Sequence, residues 1–541
     1  MPRLLVASLF AAVPLALGAQ QSDLPAKVDR VFAHFDRNTP GCAVGLGKDG
    51  RPLYTHGYGS ANLEYRIPLT DSSVMESGSV AKQFTAASLV LLQQDGKLSL
   101  DDDIRKYLPE VPNFGPTITI RNLLTHTSGL RDQWGLLGIE GRGPGSQVHS
   151  LATTLDLVTH QKMLNFPPGS EYLYSNTGYA LAAIIIQRVS GNTLQSFTQE
   201  RLFKPLGMAH TQWRDDFTRV VPNRATAYDP LPNGRGYRQD MPFTNMIGNG
   251  GVLSTMADLL KWNENLDHPT VGGPKFTSTL ETRMRLTSGR TIPYALGLIN
   301  GEYDGIREVS HSGSTAGYRT FLARYPEQRV SVAVWCSNAS ANPTRLARQV
   351  VDLVLTKPQR AAVQAGAPMR LNATQLSRYA GVYHDTHTDQ VITLRAADTV
   401  LAATGATTFV PLGANRFRSG QLTAEFETTG ATRRLVMVNA GGDTAWLDPI
   451  KPPPARITTA DYIGRYVSDE LDVQLEVVAR DGKLFVHRRP DDTIELRPVY
   501  VDGFQAAGLG SIRFRRNARG AIDGFSIYAG RVLDVRFTRA K

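Results

Sequence analysis

The chain has 541 residues, of which 41% are apolar and 20% are charged, the composition of an ordinary globular protein. A chain of this length predicts two to four domains. The formal net charge is +10, and much of the excess comes from arginines after residue 512 that alternate with apolar residues. That alternation is typical of the solvated face of β-strands, and an anionic surface as partner is the minority interpretation. With no nucleic-acid-binding motif present, we expect no nucleic-acid partner.

The first residues have the pattern of a secretory signal. An arginine is followed by an apolar run and then by small residues, and cleavage is expected after Ala19. The apolar run is too short to span a membrane, and no other long uncharged apolar segment follows. The sequence therefore predicts a periplasmic or secreted protein, with a signal peptide at 1–19 and no stable membrane insertion.

The next section, residues 22–356, mixes strand-like runs with long helical patterns, and this mixture predicts an α+β or α/β domain. Within it, the segment 76–87 reads ESGSVAKQFTAA and places Lys82 one helical turn after Ser79. At a helix start the Ser79 N–H can help to stabilise an oxyanion. An apolar setting favours a neutral Lys82, a base that can accept the serine proton. Taken alone, such a tetrapeptide more often means an N-cap and a solvated lysine.

A second motif is Tyr174-Ser175-Asn176, which follows a Pro-Pro-Gly turn and precedes a predicted helix. Tyr174 can exchange protons with the serine or with a leaving group. Asn176 can form hydrogen bonds with Lys82 and with a substrate amide. The alternative is a packed tyrosine followed by a capping asparagine.

A third motif, His311-Ser312-Gly313-Ser314, is predicted to open an edge strand. Gly313 would let a substrate backbone approach closely, and the Ser314 N–H would be the second oxyanion donor. His311 would orient the leaving group or Tyr174. The alternative is an exposed polar strand start.

After a predicted linker at 357–370, the pattern of short alternating strands broken by Gly, Asp and Asn predicts an all-β section. The sequence YAGVY at 379–383 is echoed by YIGRY at 462–466. This repeat predicts two small β-barrels, at 371–450 and 457–541.

The motifs SVAK, YSN and HSG stand in the order found in penicillin-recognising serine hydrolases of the class C β-lactamase type, and residues 25–350 resemble that family. The connecting segments LLTHTSGL, FKPLGM and GGVLSTMAD are also similar. The resemblance implies a five-stranded antiparallel sheet with a helical domain and the site between them. It also implies an acyl-enzyme on Ser79, with Lys82 and Tyr174 moving protons. We interpret His126, in LLTHTSGL, as structural.

The sequence contains two cysteines, Cys42 and Cys336. Composition alone favours two buried thiols, although an oxidising compartment permits one bridge. The fold implied by the resemblance places the two strands side by side and antiparallel. We therefore hypothesise that the sulfurs are close and that a bridge can form.

The third triplet carries His311 where the β-lactamase pattern has a lysine. Because histidine is mostly neutral at pH 7, we expect a weaker hold on a substrate carboxylate. The two barrels resemble the D-aminopeptidase architecture, in which a loop of the last barrel brings a carboxylate to the substrate amine. The corresponding stretch is 488–498, where Glu495 is the preferred candidate over Asp491 and Asp492. The alternative is a solvated hairpin tip.

The sequence thus predicts a secreted serine hydrolase acting on a small peptide, amide or ester, with D-aminopeptidase activity as the specific hypothesis. An esterase is the nearest alternative, followed by a β-lactamase or D-Ala-D-Ala carboxypeptidase and by a penicillin-binding sensor without turnover. The barrels could instead bind glycan or lipid. No metal-ligand spacing, phosphate loop or dinucleotide fingerprint is present, so no metal and no cofactor are expected. A homodimer is left open, and residues 131–150 are expected to form a mobile loop over the site.

Overall fold

The computed structural model describes most of the chain, namely residues 23–358, 369–404, 407–420, 422–429, 432–439, 444–454, 456–488 and 491–541. The predicted signal at 1–19 and most of the predicted linker at 357–370 lie outside these residues. The predicted domain boundaries therefore stay predictions.

The N-terminal domain is built on a six-stranded antiparallel sheet, one strand more than expected. The added strand is Ile299–Tyr303, which pairs with residues 306–310 of the strand that carries His311. The prediction that His311 lies on an edge strand is therefore wrong. The pairing with the added strand ends at Ser310, one residue before His311. The strands in spatial order are Ile299–Tyr303, Ile306–Thr315, Tyr318–Tyr325, Val330–Cys336, Cys42–Lys48 and Arg51–Tyr58.

Both faces of the sheet are covered, because successive side chains of a strand point to opposite faces. Even-numbered residues of Val330–Cys336 pack with the helices Leu24–Phe32 and Pro343–Val351. Odd-numbered apolar residues of the same strand pack with helix Met256–Asp267 and the helical part of the domain. This two-sided burial explains the nearly continuous apolar run of the strand.

The helical part centres on two buried helices, Lys82–Gln94 and Asn176–Ser190, which pack against each other. No helix among the described residues is long and apolar enough to cross a membrane. The segment 131–150, expected to be a loop, contains the helix Gln133–Ile139. Its residue Asp132 caps that helix by accepting a hydrogen bond from the Trp134 N–H at 3.0 Å. The other α-helices of this part are Ile120–Leu124, Leu151–His160, Leu194–Thr198 and Phe276–Leu280.

Smaller sheets connect these layers. One two-stranded sheet pairs Ser60–Asn62 with Ile67–Pro68, and another pairs Tyr228–Pro230 with Tyr237–Gln239. In a three-stranded sheet, Val252–Ser254 lies between Met75–Glu76 and Gln212–Trp213.

The two cysteines form a disulfide bond, with the sulfurs 2.04 Å apart. Cys42 and Cys336 are direct partners in neighbouring antiparallel strands. The composition-based preference for two free thiols is therefore wrong, and the bridge hypothesised from the resemblance is present. The strand register brings the two sulfurs together, and the composition of the chain carries no information about that register.

Two closed eight-stranded barrels follow, as the repeat predicts. The repeated tyrosines are equivalent: the Tyr383 hydroxyl donates to the Tyr379 carbonyl at 3.0 Å, and the Tyr466 hydroxyl donates to the Tyr462 carbonyl at 2.8 Å. The first barrel comprises Gly381–His384, Val391–Ala397, Val400–Ala403, Thr408–Pro411, Arg416–Ser419, Leu422–Thr429, Thr432–Val438 and Thr444–Ile450. The second barrel comprises Gly464–Val467, Gln474–Arg480, Lys483–Arg488, Asp492–Tyr500, Gly503–Ala506, Gly510–Arg516, Ile522–Tyr528 and Val535–Arg539.

Candidate active site

A cavity of about 1120 Å³ opens between the sheet and the helical part of the N-terminal domain. We refer to it as the cleft. Lys82 lies buried beneath its floor, and Glu495 does not line it. The predicted site residues that line the cleft are Ser79, Tyr174, Asn176, His311, Gly313 and Ser314.

Ser79 and Lys82 meet as the sequence predicts. Ser79 sits in the short 3₁₀ turn Gly78–Ala81, which leads directly into the helix that begins at Lys82. The Lys82 amine lies 3.1 Å from the Ser79 Oγ. It also donates to the Asn176 Oδ1 at 2.9 Å and to the Asn249 carbonyl at 2.6 Å. A neutral amine keeps two of these donors and has a lone pair free to accept the Ser79 proton.

The surroundings favour that neutral amine. Lys82 is fully buried, and burial lowers its pKa well below that of a lysine in water. The positive charge of Arg531 lowers the pKa of Lys82 further, whereas the Asp132 carboxylate partly opposes both effects. Burial therefore favours the neutral form that a general base needs.

Tyr174 lies over the same amine, with its ring centre 4.8 Å from the Lys82 Nζ. Burial raises the pKa of Tyr174, and the nearby Ser79 hydroxyl offsets part of that rise. The phenol is consequently protonated at neutral pH and can donate a proton. His126 packs on the Tyr174 ring at 4.0 Å between centroids, and its Nδ1 accepts a hydrogen bond from the Ser175 N–H at 3.1 Å.

Asn176 is oriented by Asp132, a residue that the sequence reasoning missed. The Asp132 Oδ2 accepts hydrogen bonds from the Asn176 backbone N–H at 2.7 Å and from its Nδ2 at 2.9 Å. This leaves the Asn176 Oδ1 pointing at Lys82. The position of Asp132 directly before a helical pattern indicates an N-cap. Its contact with Asn176, 44 residues later in the chain, leaves no local pattern in the sequence.

The predicted oxyanion donors lie close together. A Cβ added to Gly313 would lie 2.1 Å from the Ser77 carbonyl and 2.9 Å from the Ser79 nitrogen, so the strand approaches the Ser79 turn as only glycine allows. A Cβ added to Gly78 would lie 2.5 Å from the Ser314 nitrogen. The Ser79 and Ser314 amides therefore belong to the same small region of the cleft.

His311 is buried, and both of its ring nitrogens are engaged inside the protein. Its Nε2 lies 2.9 Å from the Tyr294 hydroxyl, and its Nδ1 lies 2.6 Å from the Ser312 carbonyl. Burial and the nearby Lys82 lower the pKa of His311 to about 3. The ring is therefore neutral and supplies no charge for a carboxylate. His311 was predicted to orient the leaving group or Tyr174. Both ring nitrogens are occupied within the protein, and the ring lies 6.3 Å from the Tyr174 ring between centroids.

Glu495 does not line the cleft, contrary to the prediction that it binds the substrate. It lies on strand Asp492–Tyr500 of the second barrel, where its carboxylate pairs with Lys483 at 3.1 Å. Strand alternation holds it on the barrel surface, away from the cleft. A different residue of that barrel reaches the site: the Arg531 guanidinium carbon lies 4.6 Å from the centre of the Tyr174 ring. Its sequence context, like that of the other C-terminal arginines, predicts a solvated surface residue.

A sequence profile described as Beta-lactamase matches residues 28–357. The chain belongs to the beta-lactamase family. It is a serine hydrolase of that family. A D-aminopeptidase from Brucella anthropi is 27% identical over 527 residues, which cover 93% of this chain and 96% of the relative.

Two solved structures share the fold. An octameric penicillin-binding protein homologue from Pyrococcus abyssi aligns with a TM-score of 0.54 at 24% identity, covering 80% of this chain and 100% of that one. A D-amino acid amidase from Ochrobactrum anthropi SV3 aligns with a TM-score of 0.53 at 22% identity, covering 61% and 99%. At these identities the likeness is one of fold.

Proposed function

We propose that the protein is a D-aminopeptidase-like hydrolase that releases an N-terminal D-residue from small peptides or amides through an acyl-enzyme on Ser79. The observation that carries the proposal is the buried Lys82 amine, which bridges Ser79 and Asn176 at the floor of the cleft. The similarity to a D-aminopeptidase, which extends over both barrels, supports the choice of substrate. We further propose that the protein works in the periplasm or outside the cell, since its first residues have the pattern of a secretory signal.

Acylation begins with the attack of the Ser79 Oγ on the substrate carbonyl carbon. As the new C–O bond forms, the serine proton moves to the neutral Lys82 amine. The carbonyl oxygen becomes an oxyanion, which accepts hydrogen bonds from the Ser79 and Ser314 N–H groups.

Release of the leaving group requires a proton on its nitrogen. Tyr174 supplies that proton from its hydroxyl and regains one from the Lys82 ammonium, so the C–N bond breaks without forming an amide anion. Water then attacks the ester carbonyl, its proton passes to the Lys82 amine, and the Ser79 Oγ leaves with a proton returned from Lys82. Asn176 holds the amine in place throughout.

A substrate amine needs an acceptor, and we assign it to Asp240 in place of Glu495. Among the described residues, the carboxylates that line the cleft are Glu76 and Asp240. Glu76 is buried in an ion pair with Arg214 at 2.7 Å. Asp240 lies at the turn after the Ser314 strand, where its backbone carbonyl accepts from the Gly317 N–H at 2.9 Å. Its carboxylate forms no ion pair in the described part of the chain.

The test is hydrolysis of D-alanine p-nitroanilide, L-alanine p-nitroanilide and p-nitrophenyl acetate by the wild type, Ser79→Ala and the exposed control Ser72→Ala. We expect turnover of the D-anilide, little of the L-anilide, and loss of activity only in Ser79→Ala. Turnover of the ester alone, lost in Ser79→Ala, would make the protein an esterase. Activity that survives Ser79→Ala would overturn the mechanism.

A further inference from the structure

An arginine of the second barrel, the exposed Arg531, lines the cleft. Arg531 belongs to the loop between the last two strands, Ile522–Tyr528 and Val535–Arg539, and it lines the cavity. Its guanidinium carbon lies 4.6 Å from the centre of the Tyr174 ring. Among the described residues, no carboxylate pairs with this side chain. A cation that faces a substrate cleft without a partner is available to a ligand.

The loop that carries Arg531 is held firmly. The Arg531 carbonyl accepts hydrogen bonds from the Asn165 Nδ2 at 3.0 Å and from the Asp132 N–H at 3.3 Å. The Asn165 Oδ1 in turn accepts from the Leu533 N–H at 2.9 Å. The fully buried Arg131 donates to the Leu533 carbonyl at 3.1 Å and forms an ion pair with Glu470 of the same barrel. Binding of a ligand by Arg531 therefore costs little conformational entropy of this loop.

The position of Arg531 relative to the reaction identifies the part of the substrate that it meets. In the proposed mechanism Tyr174 gives its proton to the leaving group, so the face of Tyr174 covered by Arg531 belongs to the leaving-group side. Asp240, next to the turn that follows the Ser314 strand, is the proposed acceptor of the substrate amine and would therefore face the acyl group. The two unpaired charges thus flank the scissile bond, the carboxylate on the amine side and the cation on the other.

We propose that Arg531 binds the carboxylate of the leaving group, so that the preferred substrates are short peptides with a free C-terminus, dipeptides above all. This assignment rests on the proposed function. In a leaving group of one amino acid, the carboxylate carbon is two bonds from the nitrogen that accepts the Tyr174 proton. A guanidinium against the Tyr174 ring is therefore close to it and can bind it with two parallel hydrogen bonds.

The other basic residues of the cleft are not available to bind the leaving-group carboxylate. His311 is neutral because it is buried, as described above. Arg214 is engaged by Glu76. Arg319 donates to the carbonyls of Ala316 and Tyr318 at 2.6 and 2.8 Å, at the acyl-group end of the cleft. Arg531 is left as the cation available beside Tyr174.

The test uses binding without turnover. D-Alanylglycine and its C-terminal amide are titrated calorimetrically into the full chain carrying Ser79→Ala, alone or combined with Arg531→Gln, Arg531→Lys or Arg536→Gln. Arg536 is the matched control, because it follows on the same barrel, pairs with Asp534 at 2.9 Å and does not line the cleft. We expect the free acid to bind about 10- to 100-fold more tightly than the amide, the range of a charge-assisted hydrogen bond.

Arg531→Gln should remove most of that preference, Arg531→Lys should keep part of it, and Arg536→Gln should leave it unchanged. Equal affinity for acid and amide with Arg531 present would overturn the proposal, as would no measurable binding of either. An equal loss for both ligands in Arg531→Gln would also overturn it, since Arg531 would then act only through Tyr174. Failure of the proposed function would appear separately, in the wild-type anilide assay.

Discussion

The two barrels share a strand order and the same pair of tyrosines, yet they attach to the rest of the protein in different ways. The core of the second barrel continues into the N-terminal domain through Leu136, Leu137 and Leu157. The core of the first barrel contains only residues of its own section among those described. The second barrel is therefore part of the active-site structure, whereas the first is an attached module.

The contacts of the first barrel are mainly polar. Its buried Asp389 accepts hydrogen bonds from His384 at 2.8 Å and from Tyr500 of the second barrel at 2.5 Å. His387 reaches Glu171 of the N-terminal domain at 3.1 Å, at the surface. Two copies of one fold thus differ in function because their loops and outer faces differ.

The largest effect is expected from Arg131→Ala, which removes the buried cation between the N-terminal domain and the second barrel. It would leave Glu470 buried without a partner, and breaking such a pair costs about 3–5 kcal/mol. We expect a large drop in the urea midpoint and loss of activity, because Asp132 and the Arg531 loop depend on the same contact. Arg188→Ala, in a half-exposed pair with Glu110, is the control. A midpoint shift no larger than that of the control would contradict the integrated role of this barrel.

A smaller effect is expected from Gly135→Ala on helix Gln133–Ile139. The added Cβ would lie 2.5 Å from the Val532 Cγ2, so the Arg531 loop must move. Such overpacking costs about 1–3 kcal/mol, and we expect roughly a tenfold loss of kcat/KM. Gly138→Ala on the same helix meets nothing within 4 Å and should keep full activity. If the two variants behave alike, close docking of the second barrel is not needed for the reaction.

The pH dependence provides a finer test of the second barrel. Because Lys82 must be neutral to accept the serine proton, kcat/KM should rise with pH through the Lys82 pKa, which burial places below that of a lysine in water. Arg531→Gln removes a charge that lowers the pKa of Lys82, so its acidic limb should shift to higher pH. The profile of Arg536→Gln should stay in place. A shift to lower pH in Arg531→Gln would contradict the assignment of Lys82 as the base.

The smallest effect on activity is expected from Asp389→Ala in the first barrel. Loss of the acceptor for His384 and Tyr500 should lower stability by about 1–3 kcal/mol. The kcat/KM should stay within about twofold of the wild type, because none of these side chains lines the cleft. Unfolding and kinetics are measured on the same preparation. A loss of activity comparable to that of Gly135→Ala would remove the distinction between the barrels.

The sequence predicted the parts of the site that are local in the chain. Ser79 and Lys82 lie one helical turn apart, and Asn176 begins a helix near its predicted start, so periodicity and resemblance were sufficient to propose them. The repeated sequences YAGVY and YIGRY predict the barrels, and the structure shows that their tyrosines make the same hydrogen bond within each barrel.

The remaining parts depend on contacts between distant segments. Asp132 enters the site through hydrogen bonds with Asn176, a residue distant in the chain. Arg531 enters it because the second barrel docks on the N-terminal domain, and no local pattern encodes that docking. Glu495 was assigned by analogy with a loop whose sequence differs here, and the strand register places it beside Lys483 instead. The sixth strand of the sheet was missed because short strands such as Ile299–Tyr303 have little periodicity to detect.

The central claim is that Ser79 carries the acyl group. Wild-type enzyme is mixed with D-alanine p-nitroanilide, quenched in acid at a series of times and digested, and the peptides are analysed by mass spectrometry. We predict one D-alanyl group on the peptide that contains Ser79 and none in Lys82→Ala at the same times. A D-alanyl group on any other residue, or none at any time during turnover, would contradict the claim.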